Sequence, residues 1–76
     1  MSDTQERLMT ELETAANETR LVIQALRAAK SDETVEALEI DLYTTASVLR
    51  EKAASVVREL DAQTEAELEA AERASV

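Results

Sequence analysis

The side chains of this chain that could do chemistry are carboxylates, hydroxyls and one phenol. The nearest approach to a metal site is Glu33, Glu36 and Glu39, whose three-residue spacing would place them near one face of a helix. Carboxylate metal sites in helical bundles combine such glutamates with a Glu-x-x-His motif, and the sequence contains no His. We therefore expect no metal centre here.

Catalytic groups are also missing. General acid–base catalysis near neutral pH relies mostly on His, or on a carboxylate held in a water-poor pocket. The sequence has no Cys nucleophile, and its Ser and Thr residues lack an obvious activating base. Without Gly it cannot form a Gly-rich phosphate-binding loop. We expect that the protein is not an enzyme and binds no cofactor.

Charge and hydropathy narrow the class of partner and the compartment. The formal charge is −9, from 17 acidic and 8 basic residues, whereas direct nucleic-acid binding requires clustered Lys and Arg. The longest apolar run, Leu21-Val22-Ile23, is far shorter than the ~20 residues of a membrane span. With no Cys and no basic–apolar leader, we expect a cytoplasmic protein that binds neither nucleic acid nor membrane.

The elements that position these side chains are helices. The 76 residues include no Gly and no Pro and are rich in helix formers, which predicts a single all-α domain over 1–76. Ser31 is a good N-cap, and Arg27 and Lys30 before it suit the end of an earlier helix. We predict helix 1 over about 3–29, a turn at about 30–32, and helix 2 over about 32–73.

The phase of the apolar residues also changes near Ser31. A continuous helix would carry the seam of helix 1 onto acidic positions such as Glu33 and Glu36, whereas the apolar residues follow another register. This predicts an antiparallel, coiled-coil-like hairpin. A single long rod is the alternative, since hairpin turns commonly contain Gly. The predicted core seam comprises Leu8, Leu12, Val22, Ile23, Leu26, Val35, Leu38, Leu42, Leu49, Val56 and Leu60, with Ala46 and Ala53 on the same stripe.

A hairpin of this size has too small a core to be very stable as a monomer, because below about 70 to 80 residues a core rarely contributes more than ~3–5 kcal/mol to the free energy of unfolding. We therefore expect a homo-oligomer or a complex with another helical protein. Apolar or aromatic residues away from the core seam are the candidate partner-binding residues, namely Leu21, Ile40, Tyr43 and Leu68. Residues 61–76 are predicted to be a helical extension, a frayed end, or a short third helix starting at Thr64.

These features favour a small acidic interaction module, such as a co-chaperone, adaptor or assembly subunit, that buries apolar helix faces against a protein partner. The size and two-helix plan resemble those of the small co-chaperones of bacterial type III secretion, a resemblance that no motif carries. The alternative is an acidic inhibitor that mimics nucleic acid, with rows of carboxylates facing a DNA- or RNA-binding protein.

Overall fold

The computed structural model describes residues 2–75 and consists of two helices packed against each other. Helix α1 spans Asp3–Ala28 and helix α2 spans Asp32–Ala74. The hairpin is elongated, with principal extents of 67 × 17 × 14 Å. The predicted all-α hairpin is confirmed, and the single-rod alternative is excluded. The domain prediction covered 1–76, of which residues 1 and 76 lie outside the described range.

Both helices begin at a serine N-cap. The Ser2 Oγ accepts from the backbone N–H of Gln5 at 3.2 Å, and the Gln5 side-chain oxygen accepts from the Ser2 N–H at 3.1 Å. This reciprocal capping box satisfies two backbone donors that have no partner within the helix. At the second start, the Ser31 Oγ accepts from the Thr34 N–H at 3.2 Å. The side chain of each serine therefore fixes where its helix begins.

The turn between the helices needs no Gly. Ala29 has φ −65° and ψ 136°, and Ser31 has φ −133° and ψ 150°, so both are extended. The Ala29 N–H still donates to the Leu26 carbonyl at 3.2 Å, which closes the end of α1. No residue in 2–75 has a positive φ, so every position of this turn suits a residue with a Cβ.

The core is a narrow line of contact between the two helices. Only two apolar side chains in 2–75 are nearly fully buried, Ala15 at 4% exposure and Val56 at 7%. Two threonines on this line bond back to their own helix, Thr19 to the Ala15 carbonyl at 2.9 Å and Thr45 to the Leu42 carbonyl at 3.2 Å. Such bonds satisfy the hydroxyls without a partner across the line of contact.

Helix α2 continues well beyond the start of α1. Gln5 of α1 bonds to Gln63 of α2 and α1 begins two residues before Gln5, so α2 extends past α1 by about nine residues, or ~14 Å. The Thr64 hydroxyl donates to the Leu60 carbonyl at 3.0 Å within an unbroken helix. A third helix starting at Thr64 is therefore not formed, and residues 61–74 are a helical extension.

Candidate protein-interaction surface

The line of contact holds most of the predicted core seam. Val56 is buried, and the half-buried members are Leu8, Leu12, Val22, Leu26, Val35, Leu38, Leu42 and Leu49. Ile23 and Leu60 are each more than a third exposed and lie at the edge of the contact. The interior is therefore thin, because even the leucines that face the other helix keep one side open to solvent.

Helix α2 places polar residues on the line of contact where an apolar stripe was expected. Thr45 is half-buried while Ala46 beside it is exposed, so the predicted position of Ala46 on the stripe is wrong. Lys52 is half-buried next to Ala53, and its Nζ lies 3.5 Å from the Glu11 Oε2. Both partners are partly exposed, so this ion pair contributes little stability, of the order of 0–1 kcal/mol. The ion pair is nevertheless useful because it shows which positions of α1 and α2 face each other.

A second polar pair closes the open end of the hairpin. Gln5 is 7% exposed, and its Nε2 donates to the Gln63 Oε1. Its Oε1 accepts from the Ser2 N–H in the capping box. The pair favours this register between the helices, because a slip would leave the buried Gln5 amide without its partner. Gln5 was not part of the predicted core seam. Its position three residues before Leu8, and that of Gln63 seven after Val56, could have placed both on the line of contact.

The two long sides of the hairpin, which we call flanks, differ in chemistry. Glu18 and Asp41 each come just before a contact residue, and both line one open groove of about 350 Å³ with Leu21, Val22, Thr44 and Thr45. Glu11, which pairs with Lys52, has the same position relative to Leu12. We call the side that carries Glu11, Glu18 and Asp41 the polar flank.

The opposite side carries a strip of apolar residues bordered by charged ones. Residues that come just after a contact residue lie about 100° further round each helix, away from the polar flank. We call this side the apolar flank; it consists of Met9, Ala16 and Ile23 of α1 and Ala46, Ala53 and Leu60 of α2. Tyr43 and Val57 border it on α2, at 78% and 55% exposure. Met9 and Ala53 are half-buried and the other four residues are exposed. A partly exposed apolar strip along both helices is a typical feature of a protein-binding surface.

The predicted partner-binding residues are all exposed, but they do not form one patch. Leu21 lines the groove on the polar flank, whereas the helical period places Ile40 on the back of α2 and Tyr43 beside the apolar flank. Leu68 lies on the extension of α2, beyond the reach of α1. Exposure allows each of them to meet a partner and does not by itself assign that role.

No group of three or more His, Cys, Asp or Glu residues within 2–75 is arranged to hold a metal ion. In the same range, neither helix is both long enough and apolar enough to cross a membrane. A scan against protein-family models finds no match to this chain, nor do searches of curated proteins and of solved structures.

Proposed function

We propose that this protein is a protein–protein interaction module that acts by burying its exposed apolar side chains against another helical chain. The observation that carries the proposal is the imbalance in burial: Ala15 and Val56 are the only apolar side chains of 2–75 that are nearly fully buried. The exposed large apolar residues are Leu21, Ile23, Ile40, Tyr43, Val48, Val57, Leu60 and Leu68.

The exposed apolar area is a source of stabilisation that the hairpin alone does not use. Burial of apolar area stabilises by about 25 cal/mol per Å². A hairpin whose leucines are only half-buried gains only part of the free energy that their full burial would provide. Disulfides cannot compensate, because the sequence has no Cys. Association with another chain is the means of stabilisation that the sequence leaves open.

The chemistry of the partner follows from shape and charge. A straight pair of helices offers ridges and grooves that another helix can fill, so the partner is helical and apolar on its docking face. The chain's charge of −9 repels nucleic acid and anionic surfaces and raises the rate of encounter with basic proteins. We place the module in the cytoplasm, acting as a co-chaperone, adaptor or assembly subunit without catalysis.

Affinity chromatography tests the proposal. The immobilised chain is exposed to cell extract beside a variant carrying Leu21→Ser and Ile40→Ser, two substitutions at exposed positions that should leave the hairpin folded. The matched control carries Ala28→Ser and Ala54→Ser, which introduce the same residue at exposed positions outside the two flanks. We expect specific proteins to be retained by the parent chain and the control and lost from the Leu21/Ile40 variant.

The salt dependence of retention separates apolar burial from mimicry of nucleic acid. Between about 0.1 M and 1 M salt the Debye length falls from about 10 Å to 3 Å. Binding through apolar faces should survive this change, whereas binding through rows of carboxylates should be lost. A chain that retains no protein and stays a folded monomer at high concentration would overturn the proposal.

A further inference from the structure

The outer edge of the apolar flank on α1 carries an ordered pattern of charge. Four charged residues follow one another at seven-residue spacing, so they lie along one line of the helix: Glu6, Glu13, Arg20 and Arg27. Both acids are in the first half of α1 and both bases in the second half. Such a line is complementary to a second copy of itself that runs in the opposite direction.

We infer that a second copy of this chain covers the apolar flank, related to the first by a two-fold axis perpendicular to the helices near Ala16. In this arrangement α1 runs antiparallel to α1 of the second copy, and α2 runs antiparallel to α2. The inference rests on the proposed function, because it takes burial of an exposed apolar face as the mode of action and names the occupant.

The positions on α1 match about this axis. Met9 lies seven residues before Ala16 and Ile23 seven after it, so each Met9 packs against the second copy's Ile23. Glu13 lies three residues before Ala16 and Arg20 four after it, so Glu13 of each copy pairs with Arg20 of the other copy. Glu6 and Arg27 are ten and eleven residues away and meet in the same manner. Alanine at the axis lets the two helices approach closely.

The positions on α2 match about the same axis. The Glu11–Lys52 and Gln5–Gln63 pairs put the level of Ala16 between Ser47 and Lys52 of α2, a stretch that includes Arg50. Tyr43 lies seven residues before Arg50 and Val57 seven after, so the two side chains that border the apolar flank would pack against each other. Arg50 itself would face its counterpart near the axis, which is an unfavourable contact between like charges.

The size of the flank is sufficient for a dimer. Its length is set by the 26 residues of α1, about 39 Å at 1.5 Å per residue, and the hairpin is up to 17 Å wide. The projected area is roughly 650 Å², and the relief of the side chains adds to it. Stable dimers typically bury about 800 Å² on each partner. The flank is therefore of the right size to be buried by one hairpin of equal length.

Charge also favours a second copy over a basic partner on this flank. The six residues that form it include no acid, Glu39 lies in the same row of α2 seven residues before Ala46, and the edges carry Glu6 and Glu13 as well as Arg20, Arg27 and Arg50. The polar flank, in contrast, carries Glu11, Glu18 and Asp41. A basic partner would be drawn to the polar flank and to the extension of α2, whereas a near-neutral face of mixed sign suits self-association.

Single-cysteine variants test the axis directly, because the chain has no Cys of its own. Ala16→Cys should form a covalent dimer rapidly on oxidation or with a short bis-maleimide, since its two thiols would lie close to the axis. The control, Ala54→Cys, places an exposed thiol on the back of α2 and should crosslink only at the rate of random collision. Failure of Ala16→Cys to crosslink faster than Ala54→Cys would overturn the inference.

A mixed crosslink tests the direction of packing. A mixture of Met9→Cys and Ile23→Cys chains should give the heterodimer, whereas either variant alone should give none. Two copies of Met9 would lie about fourteen residues apart along the helices, or ~21 Å. Rapid crosslinking of Met9→Cys to itself would indicate a parallel arrangement and would overturn the inference.

Reversal of charge tests the paired edges. Glu13→Arg should weaken dimerisation, measured by sedimentation equilibrium, by about tenfold, because two weak attractions become repulsions. The double variant Glu13→Arg with Arg20→Glu should restore the parent affinity to within about threefold. Glu18→Arg is the matched control, since it changes the net charge equally but lies on the polar flank, and it should not weaken the dimer. Equal weakening by Glu18→Arg would refute the pairing.

These outcomes can be separated from those for the proposed function. A chain that remains monomeric in sedimentation yet retains proteins through Leu21 and Ile40 would overturn the second copy and leave the interaction module intact. A chain that crosslinks at position 16 but retains no other protein would support the second copy and restrict the module to self-assembly. A monomer that retains nothing would overturn both.

Discussion

The neighbouring valines Val56 and Val57 provide a matched test of where the core ends. They are the same residue in the same helix, but Val56 is 7% exposed and Val57 is 55% exposed. Replacement by Ala removes two methyl groups, worth about 1.6 kcal/mol when fully buried at about 0.8 kcal/mol each. Scaled by burial, the loss is about 1.5 kcal/mol at Val56 and about 0.7 kcal/mol at Val57.

Two further effects modify these values. Ala has a higher helix propensity than Val and should return about 0.5 kcal/mol at either position. At Val56 a small cavity is also left behind, which adds to the cost. We therefore expect Val56→Ala to lower the free energy of unfolding by about 1–2 kcal/mol, and Val57→Ala to change it by only a few tenths.

Urea unfolding followed by far-UV circular dichroism measures both changes. With a slope of about 1 kcal/mol per M, typical of a small chain, the midpoint of Val56→Ala should fall by about 1–2 M. The measurement is made first at the lowest chain concentration that gives a cooperative transition. If the two variants differ by less than about 0.3 kcal/mol there, Val56 does not face α1 and the described line of contact is incorrect.

Repetition at rising concentration links this test to self-association. A second copy on the apolar flank would cover Val57, so the cost of Val57→Ala should grow as dimers form, while that of Val56→Ala should stay nearly constant. A cost at Val57 that does not change with concentration would count against the second copy.

Three further substitutions test the ends and pairs of the hairpin by the same unfolding measurement. Ser31→Ala should cost about 1 kcal/mol and Ser31→Gly only a few tenths, because Gly suits an N-cap better than Ala; equal costs would contradict the capping role. Gln63→Ala should cost about 0.5–1.5 kcal/mol through loss of its bond to Gln5, and hydrogen exchange should quicken at the start of α1 but not near Ala29. Lys52→Gln should change stability by less than about 1 kcal/mol, since its contact with Glu11 is partly exposed; a larger loss would show that the ion pair matters more than its exposure allows.

The hairpin itself could be predicted because local signals and the apolar phase agreed. Ser31 provides an N-cap, Arg27 suits the end of α1, and the apolar register changes between them. The absence of Gly, which favoured a single rod, did not prevent the turn. Extended backbone at Ala29 and Ser31 reverses the chain direction without any left-handed residue.

The details of the core could not be predicted, because the contact on α2 includes polar residues. A reading that follows apolar residues alone prefers Ala46 to Thr45, and it does not place Lys52 or Gln63 on the contact at all. Thr45 is tolerated because its hydroxyl bonds to its own helix. Gln63 is itself exposed, and its side-chain oxygen accepts a hydrogen bond from the Gln5 Nε2. Pairings across 58 positions of sequence depend on register, which no local pattern encodes.

The same error has an informative cause. The predicted apolar stripe of α2 included Ala46 and Leu60, which are apolar but exposed, and Ala53, which is half-buried at the edge of the contact. Two apolar faces overlap on α2, one that meets α1 and one that forms the apolar flank. A helix with two apolar faces is typical of a bundle with more than two helices. The residues that made the predicted core stripe of α2 inaccurate are thus the ones that a second copy would cover.

The direction in which added salt changes the affinity distinguishes the proposed dimer from an electrostatically bound complex. Each copy carries a charge of −9, so dimerisation brings two strongly acidic chains together, and added salt relieves that repulsion. The pairs between Glu13 and Arg20 would lose some attraction at the same time, but they lie at an exposed edge where each contributes little. Apolar burial is not weakened by screening. The dimer should therefore become tighter between about 0.1 M and 1 M salt, whereas docking of a basic protein on the polar flank should become weaker.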